Sequence, residues 1–335
     1  MPSTPTLPMP PITQTADGAT RRIGVEIELS GLSIDEAADV VSAHCGGAVE
    51  LERPGRYEIE VLGDLAGPWQ VELDFSALKT LGRMERDDGL ASQVQELAED
   101  VLRAVAERIV PVEVVSPPLP LERLGEVERL IAALRVAGAR GTGDEPVYAF
   151  GMQLNPELPA TDVDTIRGYL QAFLCLEDWL RRRARVDLTR RLALFAEPFP
   201  KDYARKVVDT DYVPHRDRLI DDYLAANPTR NRSLDLLPLF TYLDAPRVRA
   251  VVDDVRVKPR PTLHYRLPNS EIDQPDWGLH GPWRDWLVVE RIAADPVALA
   301  DLCARYAEFL SHPLERLTGD WAEPTDQWLA AHQLH

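Results

Sequence analysis

The sequence predicts a single α+β domain with helical additions. Three observations carry that expectation: short stretches alternating apolar and polar residues, hairpin signals between two of them, and amphipathic helical stretches that dominate the second half. The hairpin excludes a purely parallel sheet.

Taken in order, RRIGVEIELS (21–30) alternates Val25, Ile27 and Leu29 with Glu26 and Glu28, the period of a strand with one buried and one polar face. IDEAADVVSAHCGG (34–47) has helical spacing and closes on two glycines. RYEIEVL (56–62) and WQVELDF (69–75) both alternate, and Gly63, Asp64, Gly67 and Pro68 between them supply turn chemistry. A helix is expected over 90–109, then a strand over 111–117 that Pro117 and Pro118 end. A helix over 121–138 stops at Gly138, and a flexible loop with Gly141 and Gly143 leads to a strand over 146–156. From 161 to 185 runs an amphipathic helix with Ile166, Leu170, Phe173, Leu174, Leu176 and Leu180 inward. RPTLHYRLPN (260–269) reads as a late strand with Leu263, Tyr265 and Leu267 opposite His264 and Arg266, and 283–334 as two or three packed helices.

Composition narrows the class. The 335 residues are 45% hydrophobic, yet no stretch approaches the roughly 18 apolar residues of a membrane span, so no membrane partner is expected. A formal charge of −18 repels phosphate backbones, which argues against nucleic acid. Residues 1–18 read as a disordered, Pro-rich leader without a secretory signal. Cys45, Cys175 and Cys303 are odd in number and lack metal-ligand spacing, so a reducing cytoplasm and buried thiols fit best.

Glu26 and Glu28 lie two apart and leave one face of their strand, and Glu72 with Asp74 and Glu58 with Glu60 repeat the arrangement. Carboxylates facing one another destabilise a sheet and raise one another's pKa unless a cation sits among them, and a hard ion such as Mg²⁺ or Mn²⁺ is the simplest remedy. Glu58 and Glu60 read as a solvated face; Glu26, Glu28, Glu72 and Asp74 read as metal ligands. Gln153 and Asn155 share a strand face, suited either to a substrate or metal or to ordinary hydrogen bonding at the core edge, and Gly151 leaves room for a ligand near the backbone. Arg230, Arg232, Lys258, Arg260 and Arg266 form a basic cluster suited to phosphate or carboxylate, whereas Arg181, Arg182 and Arg183 read as surface ion pairs. No phosphate loop, dinucleotide fingerprint or nucleophile triad is evident.

GVEIELS, WQVELDFS, PVEVVSPPL, FGMQLNP, NPTRNRSLDLLPLF and RPTLHYRLPNS, in this order, resemble the amidoligase family, a branch of the carboxylate-amine ligases similar to glutamate cysteine ligase and glutamine synthetase. The resemblance implies a curved, mainly antiparallel sheet with a carboxylate-lined concave face and helices packed outside. It implies ATP and Mg²⁺ (or Mn²⁺) as cofactors, and amide formation between a small-molecule or peptide carboxylate and an amine through an acyl phosphate. Carried over by motif, Glu26 and Glu28 are metal ligands, Glu72 and Asp74 bind metal or substrate amine, Glu113 completes the acidic set, and His264 either joins the metal ligands through a ring nitrogen or caps the sheet face. Arg230, Arg232, Lys258, Arg260, Arg266, Gln153 and Asn155 hold nucleotide, and Arg266, Glu72 and Arg232 serve catalysis. This chain departs from relatives that carry histidines at Gln153 and Asn155 and a glutamate at His264. The implied boundaries are a catalytic domain over 19–315 and a helical tail over 316–335. A metal-dependent amide hydrolase and a non-catalytic binding protein derived from a ligase are the alternatives, and a homo-oligomer is left open.

Overall fold

The computed structural model describes residues 6–45, 50–55, 57–74, 110–142, 150–184, 196–312 and 320–334. Among them the hydrophobic pattern resolves into one sheet. β1 (Arg22–Leu29) is central, its Val25, Ile27 and Leu29 buried on one face while Gly24, Glu26 and Glu28 take the other. The hairpin signal yields β3 (Glu58–Val61) and β4 (Trp69–Leu73), and β2 (Leu51–Gly55), which the alternation did not reveal, adds an edge. β5 (Val112–Val115) and β7 (Met152–Pro156) flank β1, and the short β6 (Leu119–Pro120) pairs with its start. β8 (Leu234–Asp235) and β9 (His264–Tyr265) complete the order β2-β3-β4-β5-β1-β7-β9-β8, with every neighbouring pair antiparallel. The expected strand over 260–269 counts as regular only at two residues, because prolines at 261 and 268 lack the donor a ladder needs. It still follows β7: Leu263 N donates to Pro156 O at 3.1 Å and Met152 N to Pro268 O at 2.9 Å.

Helices cover the apolar face. α1 (Ile34–Cys45) and α2 (Leu124–Ala137) pack together, and α1 lies over β3, β4 and β5. α2 stops where Gly138 takes φ 108°, the left-handed conformation that glycine adopts without strain. α3 (Val163–Arg183) begins at Asp162, whose side chain accepts from Thr165 N at 3.0 Å. Its inner face meets α8 (His280–Ala293), α9 (Pro296–Ser311) and α10 (Ala322–Ala331). Tyr265 on β9 is wedged between Phe173 of α3 and Trp286 of α8, ring centroids 6.0 and 5.4 Å away. α4 (Lys201–Val208), α5 (Arg216–Ala226), α6 (Leu237–Leu243) and α7 (Ala245–Arg249) complete the second half.

The leader is not loose where it is described. Leu7 is buried, Trp283 Nε1 donates to Pro8 O at 2.8 Å, and Arg21 N donates to Thr13 O at 2.9 Å. Leu7 belongs to the buried apolar cluster and Met9 packs against it, which composition alone does not disclose. The Arg21–Glu290 ion pair (2.8 Å) anchors the start of β1 to α8, with Tyr169 and Trp286 also donating to Glu290. The C-terminal tail is helical and docked: Trp321 Nε1 donates to Cys175 O and Trp179 Nε1 to Asp326, both at 2.8 Å. No helix among the described residues is long and apolar enough to cross a membrane. The expected helix over 90–109, the strand portion 146–149 and Arg185 to Arg191 lie outside the described residues.

Candidate functional site

Register turns the scattered carboxylates into a line. Glu58 pairs with Glu72, Glu72 with Glu113 and Glu113 with Glu28, so four glutamates face one another across β3, β4, β5 and β1. Adjacent strands are about 4.8 Å apart, and like charges placed directly opposite repel. Burial pushes the Glu113 carboxyl well above the usual carboxylate range, reinforced by Glu26, Asp74, Glu28 and Glu72. Burial likewise raises Glu72, helped by Glu58, Asp74 and Glu26. Glu113, the last carboxylate added by the motif comparison, is thus the centre of the row. Glu58 is exposed, as a solvated face requires, yet its charge reaches Glu72.

One step along the strands, Glu26 pairs with Gln153, and the next pair is Gly24 with Asn155. Asn155 Nδ2 donates to Glu26 Oε1 at 2.6 Å, and Gly151 N donates to Glu28 Oε2 at 2.6 Å. The Leu154–Tyr265 pair carries Asn155 beside His264, and His264 pairs with Asp235 on β8. A second line therefore crosses the sheet as Gly24, Asn155, His264 and Asp235. Buried atoms without a hydrogen-bond partner gather here: Gln153 Oε1, Asn155 Oδ1, His264 Nε2, Asp235 Oδ2 and Arg230 Nε. Asp235 escaped the sequence reading because it sits in an apolar run, Leu234 to Leu237, that suggests only core.

The basic residues divide. Burial holds the His264 imidazole well below its usual pKa, and the charges of Arg260, Arg266 and Arg230 add to the effect, so these three cations stand near that ring. Arg266 Nη1 donates to Arg230 O at 2.6 Å. Burial raises the Asp235 carboxyl to about 6, against the opposing charges of Arg266 and Arg230. Lys258 is exposed and its charge reaches Glu72, which puts the loop before β9 over the other end of the carboxylate row. Arg232 is placed apart: its guanidinium donates to Asn227 Oδ1 (2.8 Å), Glu197 (3.1 Å), Pro198 O (2.9 Å) and Ala226 O (3.2 Å). That set ties α5 to the chain before α4 and gives Arg232 a structural task. Arg182 and Arg183 form the expected ion pairs, with Asp320 and Asp285 at 2.6 Å.

The donor set fits a hard divalent ion, since oxygen carboxylates crowd one face and cost free energy there without a cation. Among the described residues no three His, Cys, Asp or Glu groups already close on a single point. A family model described as "Putative amidoligase enzyme" matches residues 19–288. The chain belongs to this family. The match spans both lines of polar residues and the arginines beside them, which agrees with the motif order. No curated protein and no solved structure matches this chain.

Proposed function

We propose that this amidoligase joins a carboxylate to an amine at the expense of ATP, on the carboxylate-lined face of its sheet. The observation that carries the reading is the unbroken row Glu58, Glu72, Glu113 and Glu28, flanked by Arg230, Arg260, Arg266 and Lys258. A face that collects acids on one side and arginines on the other suits a metal–nucleotide complex, as in glutamine synthetase-like ligases.

Glu26, Glu28, Glu72, Asp74 and Glu113 would hold Mg²⁺ or Mn²⁺, their side chains turning inward by ordinary rotamer changes. Bound there, the ion would neutralise charge on the transferred phosphoryl group. Arg266 and Arg260 would grip the phosphate oxygens through their planar forks of donors, so that the terminal phosphoryl is presented to the substrate carboxylate. One carboxylate oxygen attacks phosphorus and ADP departs. The amine nitrogen then attacks the acyl carbon, loses a proton, and inorganic phosphate leaves as the amide forms.

The test is the thermal unfolding midpoint with ATP plus Mg²⁺, with each alone, and with EDTA, because a ligand selective for the native state must raise it. The reading expects a rise that needs both partners. A response to metal alone would favour a metal-dependent hydrolase, and no response would favour a binding protein.

A further inference from the structure

Asn155 Oδ1, His264 Nε2 and Asp235 Oδ2 are buried, lack partners, and stand side by side on three adjacent strands. Asn155, His264 and Asp235 are 3%, 4% and 0% exposed. Native proteins satisfy such atoms almost without exception, so each orphan needs a reason. The two outer residues are about 10 Å apart at the backbone, with the imidazole between them. Two of the three atoms are fixed as acceptors: Asp235 Oδ2 by its carboxylate, and Asn155 Oδ1 because Nδ2 donates to Glu26. The neutral imidazole adds a third in one tautomer.

One water donates two hydrogens and carries no charge. A primary ammonium donates three and brings the positive charge that Asp235 faces at no direct contact. Nearby, Arg230 Nε is an unpartnered buried donor, and Asp235 and Arg230 feel one another's charge. Acceptors at one end and a donor at the other match a molecule with an ammonium and a carboxylate. Gly24 heads the line: a methyl there would come only within 3.5 Å of Asn155, so the space above it is set by the missing side chain.

We propose that Asn155, His264 and Asp235, with Arg230 beside them, bind the head group of a free amino acid, which serves as the amine partner. The ammonium lies on Asn155, His264 and Asp235, and the carboxylate on Arg230. This rests on the ligase reading for the word amine, though not for the binding itself. Asn155 lies on β7, next to the β1 strand that carries Glu26, so the amino nitrogen sits beside the carboxylates.

The experiment is thermal unfolding of the full chain in EDTA, without nucleotide, titrated with glycine, methylammonium chloride and sodium acetate in turn. Asp235→Asn keeps an oxygen for the Leu237 N contact (2.8 Å) and so keeps the fold. Glycine is expected to raise the midpoint of the wild type more than methylammonium or acetate does. Asp235→Asn should weaken glycine roughly 10- to 100-fold, the usual cost of a lost charged hydrogen bond. Arg230→Gln should lose the preference for glycine over methylammonium. General osmolyte effects act alike on all three proteins. Equal glycine responses in wild type and Asp235→Asn overturn the subsite, and methylammonium matching glycine in the wild type overturns the amino acid assignment. A glycine response with no response to Mg²⁺ plus ATP would uphold the subsite while telling against the ligase reading.

Discussion

Replacing Glu113 by Gln removes the central charge from the row of four glutamates while keeping nearly the same shape. Glu113 faces Glu72 on one side and Glu28 on the other. Relieving two directly opposed like-charge pairs returns about 0.4–2 kcal/mol, at roughly 0.2–1 kcal/mol per pair. For a chain of 335 residues that raises the midpoint by about 0.6–3 °C in EDTA at a pH where Glu113 is ionised. The pH dependence follows from the raised pKa values of Glu113 and Glu72. A carboxyl whose folded pKa lies above its unfolded value keeps its proton longer in the native state. Stability is therefore unaffected below the unfolded pKa near 4.5 and falls as pH rises from there through the folded pKa. The metal-free wild type should lose stability over that window, and Glu113→Gln should lose less. With Mg²⁺ the order reverses, because the wild type gains a counter-ion and the variant has one ligand fewer. Differential scanning fluorimetry across pH 4–8, with EDTA or Mg²⁺, reads both arms. A Glu113→Gln protein less stable than wild type in EDTA would refute the repulsive row.

The other predictions separate site from scaffold. Arg266→Ala should leave the fold intact and weaken Mg²⁺–ATP by roughly 100-fold or more, read by calorimetric titration, because an arginine fork aimed at phosphate is lost. Arg232→Ala should do the opposite, costing about 2–4 kcal/mol in urea unfolding through the orphaned Asn227, Ala226 and Pro198 acceptors, with nucleotide affinity little changed. Burial raises the Glu177 carboxyl to about 7, while Ser233 donates to it. The wild type should therefore lose on the order of 3 kcal/mol between pH 4.5 and pH 7, and Glu177→Gln should flatten that slope in pH-dependent urea unfolding.

Much of the fold was legible from local pattern. The alternation of β1, the hairpin of β3 and β4, the helix ending at Gly138 and the amphipathic α3 follow from side-chain period and glycine conformation, which act over a few residues. The edge strand β2 was missed because LERPG shows no alternation. Glu26, Glu28 and Glu72 were legible as residues sharing a face, since i and i+2 always do so on a strand.

By itself the sequence determined an acidic α+β chain of the amidoligase family, with carboxylates in alternating strands and arginines behind them. Only tertiary structure decided which carboxylates oppose one another. Register across strands depends on hydrogen bonds between segments far apart in the chain, so Glu113 became the centre and Asp235 joined His264 and Asn155. Pairing likewise sorted the arginines: Arg232 found four acceptors within the scaffold, while Arg266 lies near the buried His264 ring. A side chain's identity fixes which bonds it can make, and the fold fixes which partners stand within reach.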